Sequence, residues 1–155
     1  MILYYTFKQK TKVFASALGD FLQQPVYSLE CELNGKSDLK FMFGALKSCV
    51  TKARYPVSNM PESVPSEIYV CSPVWGGHLA SPVRYFLENM DLRGTTVNVL
   101  LTASVPVEKY RKNAMEFLNK IPCTQGRVFI FATNDKVLPE KDVIIDQFQE
   151  MLANE

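Results

Sequence analysis

The sequence predicts an α/β fold: a five-stranded parallel sheet of order 2-1-3-4-5, with helices on both faces as a three-layer sandwich. Three observations carry that expectation. Strand-like and helix-like segments alternate from end to end, the rhythm of βαβ units. Near the middle, the β-branched and aromatic run Ile68-Tyr69-Val70-Cys71 leads through Ser72-Pro73-Val74-Trp75-Gly76-Gly77-His78 to Ser81-Pro82, a strand, a Gly-rich loop and a helix start. The chain of 155 residues is 47% hydrophobic and has a mean hydropathy near zero, which suits one domain, 1-155, with a real core. Right-handed crossovers leave few topologies, and this order has its switch point between the first and third strands.

The elements follow in order. Ile2 to Phe7 reads as the first strand. Thr11 can cap a helix whose stripe is Val13, Phe14, Ala17, Leu18, Phe21 and Leu22, the recurrence of an amphipathic helix. Val26 to Leu29 alternates apolar and polar, as an edge strand does. Asp38 opens a second helix carrying Leu39, Met42, Leu46, Cys49 and Val50. After the third strand, a loop is expected from Pro73, with Ser81 as N-cap and Pro82 as first helical residue ahead of Val83, Phe86, Leu87 and Met90. Thr96 to Leu101 is a fourth strand, and Tyr110, Ala114, Phe117, Leu118 and Ile121 mark a fourth helix. Val128 to Ala132 is a continuous apolar run, expected as a central strand. Asp142 to Leu152 closes the chain as a helix with Ile144, Ile145, Phe148, Met151 and Leu152.

Several function classes are excluded by what the chain contains. A formal net charge of +1 removes the electrostatic case for a dedicated nucleic-acid binder. No apolar run approaches the roughly 20 residues of a membrane span. Met1-Ile2-Leu3-Tyr4-Tyr5 lacks the basic region and cleavage site of a signal peptide. Cys31, Cys49, Cys71 and Cys123 have no metal-like or redox spacing, so buried cytoplasmic thiols and no metal site are expected. Asn34-Gly35-Lys36-Ser37 contains a Gly-Lys-Ser, but Glu30 stands where a P-loop needs its first glycine. No Gly-x-Gly-x-x-Gly follows a strand. A single His and no nucleophile-elbow frame argue against a Ser-His-Asp triad.

Ser72-Pro73-Val74-Trp75-Gly76-Gly77, then Ser81-Pro82-Val83-Arg84-Tyr85-Phe86-Leu87-Glu88 and Asp91-Leu92-Arg93-Gly94, resembles the middle segment of short flavodoxin-like proteins. Leu39 to Pro56, with Phe43-Gly44-Ala45-Leu46-Lys47, resembles the family's helix after its second strand. The resemblance implies a flavodoxin-like fold that binds FMN noncovalently. It implies that the Pro73-Val74-Trp75 loop lies over the isoalloxazine. It also matches Thr6-Phe7-Lys8-Gln9-Lys10-Thr11 to the family's Thr/Ser-x-Thr-Gly-Asn-Thr phosphate loop, with both end threonines kept and the central Thr, Gly and Asn replaced by Lys8, Gln9 and Lys10. Thr102-Ala103-Ser104 falls where the family lines the pyrimidine end of the ring.

The residues carry their own reading beside this one. The switch point sets the loop after Phe7 beside the loop after Cys71, at the carboxyl edge where such sheets bind ligands. Losing the glycine restricts positive φ and close backbone approach. Lys8 and Lys10 can compensate as point charges toward a phosphate, or be a solvated loop. Trp75, the only Trp, is a flat platform for a flavin or a core residue. Gly76 and Gly77 leave room at a ring edge. His78 can touch ring or phosphate, or be incidental, and Tyr110 can cover the site or open the fourth helix. The expected function is an FMN-binding redox protein exchanging electrons with a partner protein or small acceptor, and a flavin-dependent oxidoreductase is compatible with it. Two roles compete: a shuttle flavodoxin is expected to be strongly acidic around the flavin, and with no acidic excess here a small flavin reductase-like protein stands at least level with it. The alternative is a binding or regulatory module of the same fold that has lost its flavin.

Overall fold

A computed structural model describes residues 1–51, 54–133 and 137–154. Strand β1 (Ile2–Tyr4) is followed by helix α1 (Lys10–Leu22), β2 (Val26–Ser28) and α2 (Asp38–Thr51). Then come β3 (Glu67–Trp75), a two-residue β4 (His78–Leu79), α3 (Ser81–Asn89), β5 (Thr96–Ala103), α4 (Glu108–Leu118), β6 (Thr124–Ala132) and α5 (Lys141–Ala153). The sheet order is β2-β1-β3-β5-β6, all parallel, with β4 hanging antiparallel from β3. With the short β4 set aside, this is the expected 2-1-3-4-5.

Period-two alternation splits the apolar residues between two cores. Ile2, Tyr4, Cys71, Leu100, Phe129 and Phe131 face α1 and α5, meeting Phe14, Leu18, Ile144 and Phe148. Leu3, Tyr5, Val70, Val97, Val99, Leu101 and Val128 face the other way, onto Val83, Phe86 and Leu87 of α3 and Ala114 and Leu118 of α4. The four cysteines are free thiols, with Cys31 and Cys71 buried. Among the described residues no helix is long and apolar enough to cross a membrane.

Several expectations need correction. The first strand stops at Tyr4, although the Tyr5 N–H still donates to the Cys71 carbonyl at 3.2 Å. The Val128–Ala132 run is no central strand: among the described residues β6 pairs only with β5 and stands at the end of the strand order. It is apolar because helices cover both its faces, and burial, not pairing, sets that pattern. Ser81 is not a cap; Ala80 takes that position, and the Ser81 hydroxyl accepts the Tyr55 N–H at 2.9 Å. The largest departure is in α2. Leu39, Met42 and Leu46 are 63, 64 and 61% exposed, while Phe41, Gly44, Ala45, Ser48 and Cys49 face inward. Two stripes lie on this helix, and apart from Phe41 the inner one is made of small residues that a hydrophobicity pattern underweights. The side chain of Val50 lies outside the described residues.

Candidate functional site

The carboxyl ends of β1, β3 and β5 converge on one edge of the sheet, and the start of α2 closes over it. From β1 the chain passes through Thr6, Phe7 and Lys8 to Gln9, which takes φ 61° and ψ −5° directly before α1. The left-handed conformation that a glycine supplies in the related loop is therefore present here on a glutamine, at a cost of about 1–2 kcal/mol. The Gln9 side chain makes no capping hydrogen bond to α1. Lys10 and Thr11, the first two residues of α1, line the cavity at this edge, and a helix start is suited to an anion. Thr11 is not the cap that the sequence suggests. The helix begins at Lys10 with Gln9 in the cap position, two residues ahead of a Thr11 cap, and the buried Thr11 hydroxyl lies 2.9 Å from that of Thr102, tying α1 to the end of β5.

The segment expected as a loop from Pro73 is strand. β3 pairs with β5 as far as Pro73 opposite Thr102 and runs on to Trp75. Pro73 is tolerated because β1 has already ended beside it, so its missing N–H breaks no strand pairing. Trp75 then pairs with His78 around Gly76 (φ 56°) and Gly77 (φ 86°). Two central residues with positive φ make this a tight hairpin of the type that Gly-Gly favours. The signal was in the sequence: two glycines flanked by residues of strand character.

A cavity of about 340 Å³ occupies this edge. Of the expected residues, Thr6, Lys8, Lys10, Thr11, Pro73, Val74, Trp75, Thr102, Ala103 and Ser104 line it. Gln9, Gly76, Gly77 and His78 do not. Gln9 lines a second, polar cavity of about 350 Å³ with Lys12, Ser28, Glu30 and Asn34. A Cβ at Gly76 would stand 2.9 Å from the Cys49 Sγ, and the Gly77 carbonyl accepts the Asn113 amide at 2.8 Å. The hairpin tip thus packs toward α2 and α4. The residue His78 is largely exposed, but partial desolvation of its ring, with help from Arg84 and Lys109 against Glu116, pulls the imidazole below the ordinary value.

Phe7, Asp38, Phe41, Met42 and Thr133 also line the cavity and were not expected there. Phe41 was hidden by the same double stripe on α2. Phe7 falls at the unspecified position of the phosphate-loop pattern and Asp38 opens α2, so neither is marked as a cavity residue by type or spacing. The aromatics form a continuous wall. Trp75, 8% exposed, meets Tyr5 edge-on at 5.6 Å and Phe41 edge-on at 5.3 Å. Phe41 in turn stacks on Phe7, with centroids 3.5 Å apart and planes 8° from parallel. Trp75 is therefore a core residue and a cavity residue at once. At the polar end, Lys8 Nζ lies 2.8 Å from Asp38 Oδ2.

The cavity is apolar and aromatic on one side, with hydroxyls, ammonium groups and a helix start on the other. A planar ring carrying a short anionic tail suits both halves. No protein-family model and no curated protein matches the sequence. Solved structures do. A protein from Bacteroides eggerthii, provisionally described as a flavoprotein, superposes with a TM-score of 0.75 at 17% identity, covering 98% of this chain and 96% of that one. A flavoprotein from Lactobacillus acidophilus, solved in complex with FMN, gives a TM-score of 0.64 at 19% identity, with 96% of each chain covered. A flavodoxin from the domain Archaea gives 0.50 at 16% identity, with 97% of each covered. Identities this low speak of architecture, and with the strand order and the switch-point cavity they establish that this chain has the flavodoxin-like fold.

Proposed function

We propose that this chain binds FMN in the cavity between β1, β3, β5 and α2 and exchanges electrons with a partner protein or small acceptor. The observation that carries the reading is the division of that cavity into an aromatic half and a cationic, helix-start half. The FMN complex of the Lactobacillus protein supports it from outside. Bound FMN supplies the redox chemistry, while the protein sets its orientation and potential.

Each group has a task in this scheme. Thr6, Lys8, Lys10 and Thr11 hold the phosphate beside the start of α1, with the first-turn N–H groups as further donors. Trp75, Phe41 and Phe7 exclude water from the ring. Thr102, Ala103 and Ser104 face its polar edge, where hydroxyl and backbone groups can hydrogen-bond. A second reading keeps the fold and drops the flavin. It is favoured by one observation, the Asp38 carboxylate on the cavity wall beside the proposed phosphate position.

Titration of the purified protein with FMN, FAD and riboflavin separates the two. The flavin reading expects a yellow complex with FMN bound more tightly than riboflavin, because only FMN has the phosphate. Equal binding of FMN and riboflavin removes the role of the loop from Thr6 to Thr11. Binding of none of the three leaves the module without flavin.

A further inference from the structure

Leu39, Met42, Phe43 and Leu46 on α2 are 63, 64, 65 and 61% exposed. Their spacing of three, four and seven residues puts them in one stripe along the helix. Together they offer on the order of 500 Å² of apolar surface, the size of the largest patch on a typical monomer, which is often functional. Met42 also lines the cavity, so the stripe is continuous with the cavity wall. At 100° per residue, Lys40 and Lys47 fall together along the edge of the stripe away from the cavity. Both are exposed, as is Lys36 just before the helix. The one carboxylate on the opposite edge, Asp38, is paired with Lys8.

We propose that this face docks an acidic electron-carrier protein, one presenting an apolar patch edged by carboxylates, which delivers electrons to a flavin in the adjoining cavity. The proposal rests on the flavin reading above. A basic edge around an apolar centre calls for an acidic edge on the partner, which gives orientation and on-rate more than affinity. The area fits as well: one side of a transient redox encounter buries roughly 600 Å² or less, whereas obligate dimers bury in total more than ~2,000 Å². A second copy fits poorly. An antiparallel pairing of two α2 helices about a twofold axis sets the lysine edge of one against the same edge of the other. In each productive encounter the carrier's reduced centre is oxidised by one electron. Two encounters and two solvent protons complete the reduction of one flavin.

A reduced plant-type [2Fe–2S] ferredoxin, strongly acidic, is the probe. It should bind the flavin-free protein at low salt in an NMR titration, and binding should weaken about tenfold in Lys40→Glu with Lys47→Glu, and again in Phe43→Ser with Leu46→Ser. In stopped flow, reduction of the FMN-loaded protein by the ferredoxin should slow by at least about tenfold in each variant, while FMN affinity and reduction by dithionite stay unchanged. Ferredoxin that does not bind, or binds both variants as well as the parent, overturns the proposal. So does a concentration-dependent dimer that Phe43→Ser with Leu46→Ser abolishes, which assigns the face to a second copy. FMN titration reads the flavin proposal by itself, and ferredoxin binding to flavin-free protein reads the docking face by itself.

Discussion

Lys8 Nζ sits 2.8 Å from Asp38 Oδ2, joining the loop after β1 to the first residue of α2 across the polar end of the cavity. Both groups are well exposed, so the pair itself adds little stability. Its consequence is electrostatic: a phosphate entering here gains Lys8 and Lys10 but meets a carboxylate. Asp38→Asn should therefore tighten FMN binding by roughly two- to fivefold, from ~0.5–1 kcal/mol, and leave riboflavin unchanged. The gain should fade in high salt. Calorimetry with both flavins checks it, and an equal gain for riboflavin would move Asp38 away from the phosphate.

Trp75 joins stability to binding. Its ring is almost fully buried and meets Tyr5 and Phe41 edge-on, so Trp75→Ala should destabilise the protein by roughly 3–5 kcal/mol. Trp75→Phe keeps an aromatic in the wall and should fold. FMN should quench the fluorescence of the single Trp in the parent. In Trp75→Phe, FMN binding should weaken between about two- and tenfold, as expected when ~0.5–1.5 kcal/mol of aromatic contact is lost. Unchanged affinity in the folded variant would make Trp75 a core residue alone.

Much of this architecture was legible because burial on both sheet faces writes itself into the strands. Alternating strand and helix patterns point to parallel βαβ units, the flavodoxin-like order 2-1-3-4-5 suits five such strands, and the Pro73-Val74-Trp75 and Thr102-Ala103-Ser104 segments do reach one cavity. What failed had local causes. Gly76-Gly77 is expected to turn a loop and leave room at a ring edge, and in the structure the two adjacent glycines satisfy the positive φ of a tight hairpin. The sequence places Leu39, Met42, Leu46 and Cys49 on α2 without telling its two faces apart: Leu39, Met42 and Leu46 face out, and Cys49 joins Phe41, Gly44, Ala45 and Ser48 on the packing face. Phe41, Phe7 and Asp38 reach the cavity through tertiary placement, and single-residue types at irregular spacing leave no periodic signal.

Gln9 tests the backbone of the same loop. At φ 61° a side chain is strained, and glycine is not. Gln9→Gly also gains entropy in the unfolded chain, which offsets part of the relief. The net expectation is stabilisation by about 0.5–1 kcal/mol, or a rise in Tm of roughly 1–4 °C. Calorimetric melting checks it. A fall in Tm would mean that the Gln9 side chain contributes more in the second cavity than its backbone strain costs.

His78 gives a pH dependence of known sign. Burial, Arg84 and Lys109 lower its folded-state pKa from 6.5, with Glu116 opposing. The unfolded chain then binds more protons near pH 6, so unfolding free energy rises with pH through that range. The contribution is present above the unfolded pKa and is lost as pH falls through the folded one. Urea midpoints at pH 7.5 and 5.5 should therefore fall further on acidification in the parent than in His78→Gln. Identical pH dependence in both would show that the imidazole titrates alike in folded and unfolded chains.

The charge pair also sets the direction in which the potential of a bound flavin moves. Reduction adds electrons, so a nearby cation favours the reduced form and raises the midpoint, and a nearby anion lowers it. One unit charge ~8 Å away at an effective dielectric of ~20 is worth about 2 kcal/mol before screening. That is at most roughly 90 mV for a one-electron step, since 59 mV is a tenfold change. Solvent and the FMN phosphate reduce it to a few tens of millivolts. Lys8→Ala should shift the midpoint negative by that amount and Asp38→Asn positive by a similar one. The double variant leaves the net charge at this edge unchanged and should return close to the parent. Redox titration of the four FMN-loaded proteins measures the cycle. Two single variants that move in the same direction, or do not move at all, would show that Lys8 and Asp38 face solvent rather than the flavin.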